Sequence, residues 1–348
     1  MTQESTRVLP PDEAALALAA DLFRAGRLVA FPTETVYGLG ANALDRQAVL
    51  SIFAAKGRPA DNPLIVHIAD RDQLKDLCQI PARAPILMDA FWPGPLTLLF
   101  PRKIAVPDEV TAGLPTVAIR MPSHPVAAAM LRRCALPIAA PSANLSGRPS
   151  PTTAAHVLED MNGRIPLILD GGPCQVGLES TVLEISGDSP TILRPGGVTR
   201  EMLEQALGEP VRLAGSILRP LRPDEKALSP GMRYKHYAPK AELTLVEGPE
   251  SRVVETLRQR CVADRAAGRK ACVLCFTEHL AALDGCDPHD LGSLRDAGQT
   301  AHVLFDTLRR LDEEGMEAVY SEVIPPEGVG LAVMNRLGRA AAFRTLRV

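Results

Sequence analysis

Aromatic side chains are scarce in this sequence, at 4% of residues with a single tryptophan. Stacked readout of nucleic-acid bases therefore has little to work with. No charge of one sign dominates: the formal net charge is -3, so no global basic field marks a nucleic-acid binder. No apolar run approaches the roughly 18 residues of a membrane span, and no contact with a membrane is expected. Residues 1–14 are polar, with Glu4, Asp12 and Glu13, and lack the basic start and apolar centre of a signal peptide. The seven cysteines are odd in number and scattered, which speaks against a disulfide framework and for a reducing, cytoplasmic setting. The phosphate-binding pattern G-x-x-x-x-G-K-[ST] is missing, as are H-E-x-x-H and G-x-S-x-G. Any ATP chemistry must use another scaffold.

What is there is ordinary globular composition, 46% apolar and 23% charged over 348 residues. At roughly 150 residues per domain, that length suits two domains. Apolar spacing predicts helices over 12–25 and 46–56, with Gly26 and Gly57-Arg58-Pro59 as stops. Short apolar runs predict strands at 28–31, 64–68, 96–100, 116–120, 136–140, 167–170, 180–185 and 191–194. These mix with helices without regular alternation, as in an α/β domain over 1–212. Residues 213–240 are rich in Pro, Arg and Lys and read as a linker. Its Tyr, His and cation content suggests a segment that touches something. From 241 to 348 strands and helices alternate more evenly, as in a smaller α/β domain.

Four patterns carry chemistry. Gly38-Leu39-Gly40-Ala41-Asn42-Ala43 mimics a dinucleotide fingerprint but lacks its later acidic residue, so a tight turn with close backbone packing is expected. Lys56 and Arg58 read either as a solvated helix end favoured by the dipole or as a point charge paired with a planar fork, suited to a triphosphate. Gly57 permits close backbone approach there, and Pro59 stiffens the loop. Residues 141–150, with Ser142, Asn144 and Ser150, place small hydroxyls and an amide after a strand. They suit either a polar ligand or a helix cap. Arg120 and Arg194 close apolar strands, and burial there demands a counter-ion, from a ligand or from a protein carboxylate. Cys272-x-x-Cys275 and Cys286-x-x-His289 have zinc-like spacing. Residues 271–276 nevertheless read as a buried strand, so no zinc is expected.

Together, Phe31-Pro32-Thr33-Glu34-Thr35-Val36-Tyr37-Gly38-Leu39, Lys56-Gly57-Arg58-Pro59, Asn62-Pro63-Leu64, Ser142-Ala143-Asn144-x-Ser146-Gly147 and Leu193-Arg194-Pro195-Gly196 resemble the YrdC/Sua5 family. Ser229-Pro230-Gly231-Met232-x-Tyr234-x-His236-Tyr237-Ala238-Pro239 resembles its long form. The resemblance implies an open, twisted YrdC-like α/β domain followed by a smaller Rossmann-like α/β domain. It implies that L-threonine, bicarbonate and ATP yield threonylcarbamoyl-AMP and pyrophosphate, for t6A modification of tRNA. It gives Lys56 and Arg58 the catalytic positions and, with Asn62, Thr116, Ser142, Asn144, Ser150, Arg194 and Tyr234, the ATP. It gives Thr33, Thr35, Tyr37, His67, Arg120, Ala140 and Ser180 the threonine, and makes Tyr234 and His236 a lid. Mg2+ would accompany ATP. A downstream t6A transferase complex of the TsaD/Kae1 type and a weak tRNA contact are the implied partners.

Two other classes compete. A non-catalytic RNA-binding factor would show salt-dependent RNA affinity and no ATP turnover. A carbamoyl-transfer domain of the hydrogenase-maturation kind would carry zinc-finger and acylphosphatase segments, which the sequence does not display.

Overall fold

The computed structural model describes residues 5–219 and 237–348. The chain divides into two compact units. One holds the described residues up to Ser146 and Ser150–Ile217, and the other holds Gly147–Pro149, 218–219 and 237–348.

The first unit runs β1 (Arg7–Leu9), α1 (Glu13–Arg24), β2 (Val29–Phe31), β3 (Gly38–Asn42), α2 (Arg46–Lys56), β4 (Ile65–His67), α3 (Leu74–Leu77), α4 (Ala84–Phe91), β5 (Leu96–Pro101), α5 (Asp108–Thr111), β6 (Thr116–Arg120) and α6 (Pro125–Cys134). It continues with β7 (Ile138–Ala139), α7 (Ala154–Met161), β8 (Leu167–Leu169), β9 (Thr181–Glu184), β10 (Thr191–Arg194), α8 (Arg200–Leu207) and β11 (Arg212–Leu213). Its strands form one mixed sheet in the order β1-β8-β2-β3-β7-β4-β6-β5-β9-β10-β11. Helix α1 starts where the Asp12 carboxylate accepts the Ala15 amide at 2.8 Å. It lays Leu16, Ala19, Ala20 and Phe23 against α6 and strands β2 and β8.

The expected turn at 38–43 is instead strand β3, antiparallel to β2 with Phe31 opposite Gly38. The reason is packing. A Cβ on Gly40 would stand 2.8 Å from Ile138 Cγ2 and 2.9 Å from the Phe31 ring. The glycines therefore let a strand lie flush on bulky neighbours. The segment expected as a strand over 136–140 pairs only at Ile138–Ala139.

The second unit runs β12 (Glu242–Glu247), α9 (Glu250–Ala266), β13 (Ala271–Cys275), β14 (Pro288–Asp290), α10 (Ala297–Glu313), β15 (Ala318–Ser321), α11 (Val329–Ala340) and β16 (Thr345–Arg347). All five strands are parallel, in the order β14-β13-β15-β12-β16. The β12-to-β13 crossover runs one way along the sheet, and the β14-to-β15 and β15-to-β16 crossovers run the other way. Right-handed crossovers then put α9 on one face and α10 and α11 on the opposite face. Cys272 and Cys275 lie within β13, fully buried. Among the described residues no helix is long and apolar enough to cross a membrane.

Candidate active site

The register of the first sheet brings separate motifs into one row. His67 of β4 lies opposite Arg120 of β6, and Arg120 lies opposite Thr97 of β5. Thr97 lies opposite Val182 of β9, which lies opposite Arg194 of β10. Residues opposite one another in a ladder project from the same face, so His67, Thr97, Arg120 and Arg194 share it. Thr116, at the other end of β6, is four residues from Arg120, or about 13 Å along the strand.

Arg120 is 3% exposed and is held on three sides. Its Nη1 donates to Thr35 Oγ1 at 2.8 Å and its Nε to the Gly94 carbonyl at 3.2 Å. Its Nη2 stands 2.6 Å from Glu34 Oε1, whose side chain is as buried. The counter-ion that a buried arginine requires is thus a protein carboxylate. Burial works to raise the Glu34 pKa, but the charge and hydrogen bond of Arg120 outweigh it and hold the carboxyl below its usual range. Thr35 and Thr33 hydroxyls lie 2.8 Å apart. Thr33 Oγ1 donates onward to the Val36 carbonyl at 2.7 Å. With the Thr33 proton spent on Val36, the bond between the two hydroxyls is donated by Thr35. His67 packs edge-on against the Phe31 ring. Burial, reinforced by the charge of Arg120, lowers its pKa to about 3, so the ring is neutral.

The second cluster is built on α2 and the loop after β7. Gly57 ends α2 in the left-handed region at φ 64°, and the space beside it is open. Its left-handed conformation suits a helix cap, and the open space leaves the backbone accessible. Lys56, the last residue of α2, is buried and points its ammonium at the Ser142 and Asn144 carbonyls, each 2.6 Å away. Asn144 Oδ1 lies 3.4 Å from the same nitrogen. Ser142 Oγ donates to Asn144 Oδ1, and Ser142 bridges to Gly38 of β3. Helix α7 is capped by Thr153 instead, so these hydroxyls are not spent on a helix end. Arg58 stacks over the Phe53 ring and donates to the Asn62 carbonyl at 3.2 Å. Asn62 is fully buried.

Arg194 holds Ser180 through its carbonyl and hydroxyl, both at 3.1 Å, and Ser180 Oγ also meets Thr97 Oγ1 at 2.7 Å. Ser150 Oγ donates to Glu179 at 2.6 Å. Ala140 joins the strands by donating its amide to Ile65. Tyr37 is buried, and its hydroxyl donates to the Gly172 carbonyl at 2.7 Å. Burial raises its pKa, so it stays protonated. Tyr234 and His236 lie outside the described residues. Tyr237, next in the chain, is buried against the Phe305 ring at 5.1 Å, with Arg336 over its face. Sequence reasoning did not single out Glu34, Thr97 or Glu179. The one signal for Glu34 was the demand of Arg120 for a counter-ion.

Fold and site define an α/β enzyme whose chemistry rests on cations, hydroxyls and backbone placed to position anionic ligands. The family model described as telomere recombination matches residues 21–196. The model described as the C-terminal domain of threonylcarbamoyl-AMP synthase matches residues 198–342. The threonylcarbamoyl-AMP synthase of Bacillus subtilis is 48% identical over 98% of this chain and 97% of its own length. That of Pyrococcus abyssi is 45% identical over 97% of each. A crystal structure of P. abyssi Sua5 complexed with L-threonine superposes with a TM-score of 0.92 at 44% identity, over 99% of this chain and 100% of that one. The chain belongs to the Sua5 family of threonylcarbamoyl-AMP synthases. It is an ATP-dependent nucleotidyltransferase whose product serves the t6A modification of tRNA.

Proposed function

We propose that the row His67–Arg120–Thr97–Arg194, with the Lys56–Ser142–Asn144 cluster, is where L-threonine, bicarbonate and ATP are joined. One observation carries this reading: the ladder register places residues from distant motifs on one face. The Arg120 guanidinium, steadied by Glu34 and Thr35, receives the threonine carboxylate. Thr33, Thr35, Ala140, Ser180 and the neutral His67 surround the rest of the amino acid, with Tyr37 behind them. Lys56 and Arg58 face the phosphates, and Asn62, Thr116, Ser142, Asn144, Ser150 and Arg194 hold the nucleotide. The threonine amine attacks carbon dioxide, giving a carbamate and a released proton, or attacks bicarbonate, giving the same carbamate and water. The carbamate oxygen then attacks the α-phosphorus and pyrophosphate leaves. No protein nucleophile is needed, and positioning with charge neutralisation supplies the acceleration.

Mg2+ would be carried in on the ATP phosphates, keeping its own waters and neutralising phosphate charge. We place the protein in the cytoplasm, in keeping with seven buried, unpaired cysteines. We propose that it hands its product to a transferase complex of the TsaD/Kae1 type, with at most weak tRNA contact.

The test is pyrophosphate release from ATP with and without L-threonine, bicarbonate and Mg2+, repeated with Lys56→Ala. Release that needs all three and collapses in a variant of unchanged melting temperature supports the assignment. Release that ignores threonine or Mg2+ would sink it. So would full activity of the variant.

A further inference from the structure

The second unit carries a cavity that threonylcarbamoyl-AMP synthesis leaves unused. Adjacent strands β12 and β15 send their following segments to opposite faces of the sheet. In open α/β sheets such a switch point opens a crevice beyond the carboxyl ends of the strands, where ligands bind. A cavity of about 350 Å3 lies there, lined from 246–253 after β12, from Phe276 and His279 after β13, and from 322–326 after β15. That volume falls within the range of small-molecule sites.

Its floor is apolar, with Val246, Val253, Phe276 and Ile324 among the lining residues. Its ionisable lining groups are three carboxylates, Glu247, Glu250 and Glu322, and the His279 imidazole, and Glu247 is paired with Arg347 at 3.2 Å. His279 Nδ1 lies 2.6 Å from Glu322 Oε1, and its Nε2 lies 3.0 Å from Glu250 Oε1. A doubly protonated ring donates to both carboxylates, and contact with them raises the histidine pKa against the opposing effect of burial. Such a ring has no lone pair for a metal. With Glu247 paired to Arg347, Glu250 and Glu322 against one imidazolium leave one negative charge unbalanced. Glu322 is 3% exposed and anchored by the Phe276 amide at 2.7 Å. Burial pushes its carboxyl pKa up, against the lowering effects of the Phe276 amide and His279.

The crevice is built against phosphate. Where nucleotide-binding sheets place glycines and free amides, this loop reads Glu247-Gly248-Pro249-Glu250. Pro249 stands at the N-cap of α9 and offers no N–H.

We propose that this crevice is a second binding site, for a small organic monocation: a primary ammonium or guanidinium on a short apolar body. The cation meets Glu322 and Glu250, and the apolar body lies on the floor. The site is independent of the catalytic assignment in the first unit.

Calorimetric titration of the full chain with isoamylamine, isoamyl alcohol and ADP tests it. Saturable binding of the amine and none of the alcohol is expected, and ADP, which the nucleotide site of the first unit takes, should leave the amine affinity unchanged. Glu322→Gln should weaken the amine at least about tenfold, roughly 1.4 kcal/mol, with threonine-dependent pyrophosphate release unchanged. Glu322 is also anchored within the fold, so Glu250→Gln on the exposed rim provides the second variant. It should weaken binding without lowering the melting temperature. Displacement of the amine by ADP overturns the proposal. Equal binding of amine and alcohol also overturns it, as does amine affinity indifferent to both substitutions or absent at millimolar concentration.

Discussion

At the scale of single residues, the site holds titratable groups whose states follow from burial. His67 sits in a buried strand beside the Arg120 guanidinium, and its pKa falls to about 3. In an unfolded chain a histidine titrates near 6.5. Between those values the unfolded state binds a proton that the folded state refuses, so stability rises with pH across that window. Stability is therefore lost as pH falls below about 6.5. Glu34, whose folded pKa is depressed, contributes stability present above its unfolded pKa and lost only as pH falls further. The upper part of the acid limb thus belongs to His67 together with His124, whose pKa burial also lowers, and is opposed by His279, whose pKa is raised. Urea denaturation from pH 6.5 to 5 should show a shallower slope in His67→Asn than in the parent. Identical slopes would mean that the imidazole accepts a proton in the folded state. Arg120 and Arg194 were legible as strand-end cations that must be balanced. Glu34 was not singled out, because pairing across residues 34 and 120 is a product of the sheet order and leaves no local trace.

Elements were legible where local chemistry decides them. The stop of α2 at Lys56 follows from Gly57, whose φ of 64° suits a left-handed cap. Strand β6 occupies Thr116–Arg120, the run its β-branched and apolar residues predicted. Strand β3 went unseen because its glycines look like a turn and their purpose lies in partners from elsewhere in the chain. The same packing sets a prediction. Gly40→Ala adds a methyl 2.8 Å from Ile138, 2.9 Å from Phe31 and 3.0 Å from Phe23. Those neighbours are themselves buried, so strain should cost about 1–3 kcal/mol. Chemical denaturation reads the cost. A neutral or stabilising substitution would mean that the β2–β3 ladder has slack, and the flush packing of β3 would lose its explanation.

At the scale of the whole molecule, two sheets with separate cores share one chain. Their α/β character and the restart near residue 241 were visible in composition and periodicity. The switch point of the second sheet was not, because crossover direction cannot be read from elements alone. Two cores allow ligands to be assigned to units by linkage. A ligand that binds only the folded form stabilises what it touches, by about 2.7 kcal/mol at a hundred times its dissociation constant. L-threonine with ATP should therefore slow amide exchange in β5, β6, β9 and β10 and leave β13 and β15 unchanged. Isoamylamine should do the reverse, slowing exchange at residues 271–279 and 318–324. Hydrogen exchange resolved by peptide separates these outcomes. If threonine with ATP protected β13 and β15 as strongly as β6, binding would stabilise both cores together and the two units would unfold as one cooperative body. If the amine protected only β6, its charge would be read by the catalytic site, and the crevice beyond β12 and β15 would lose its case as a separate site.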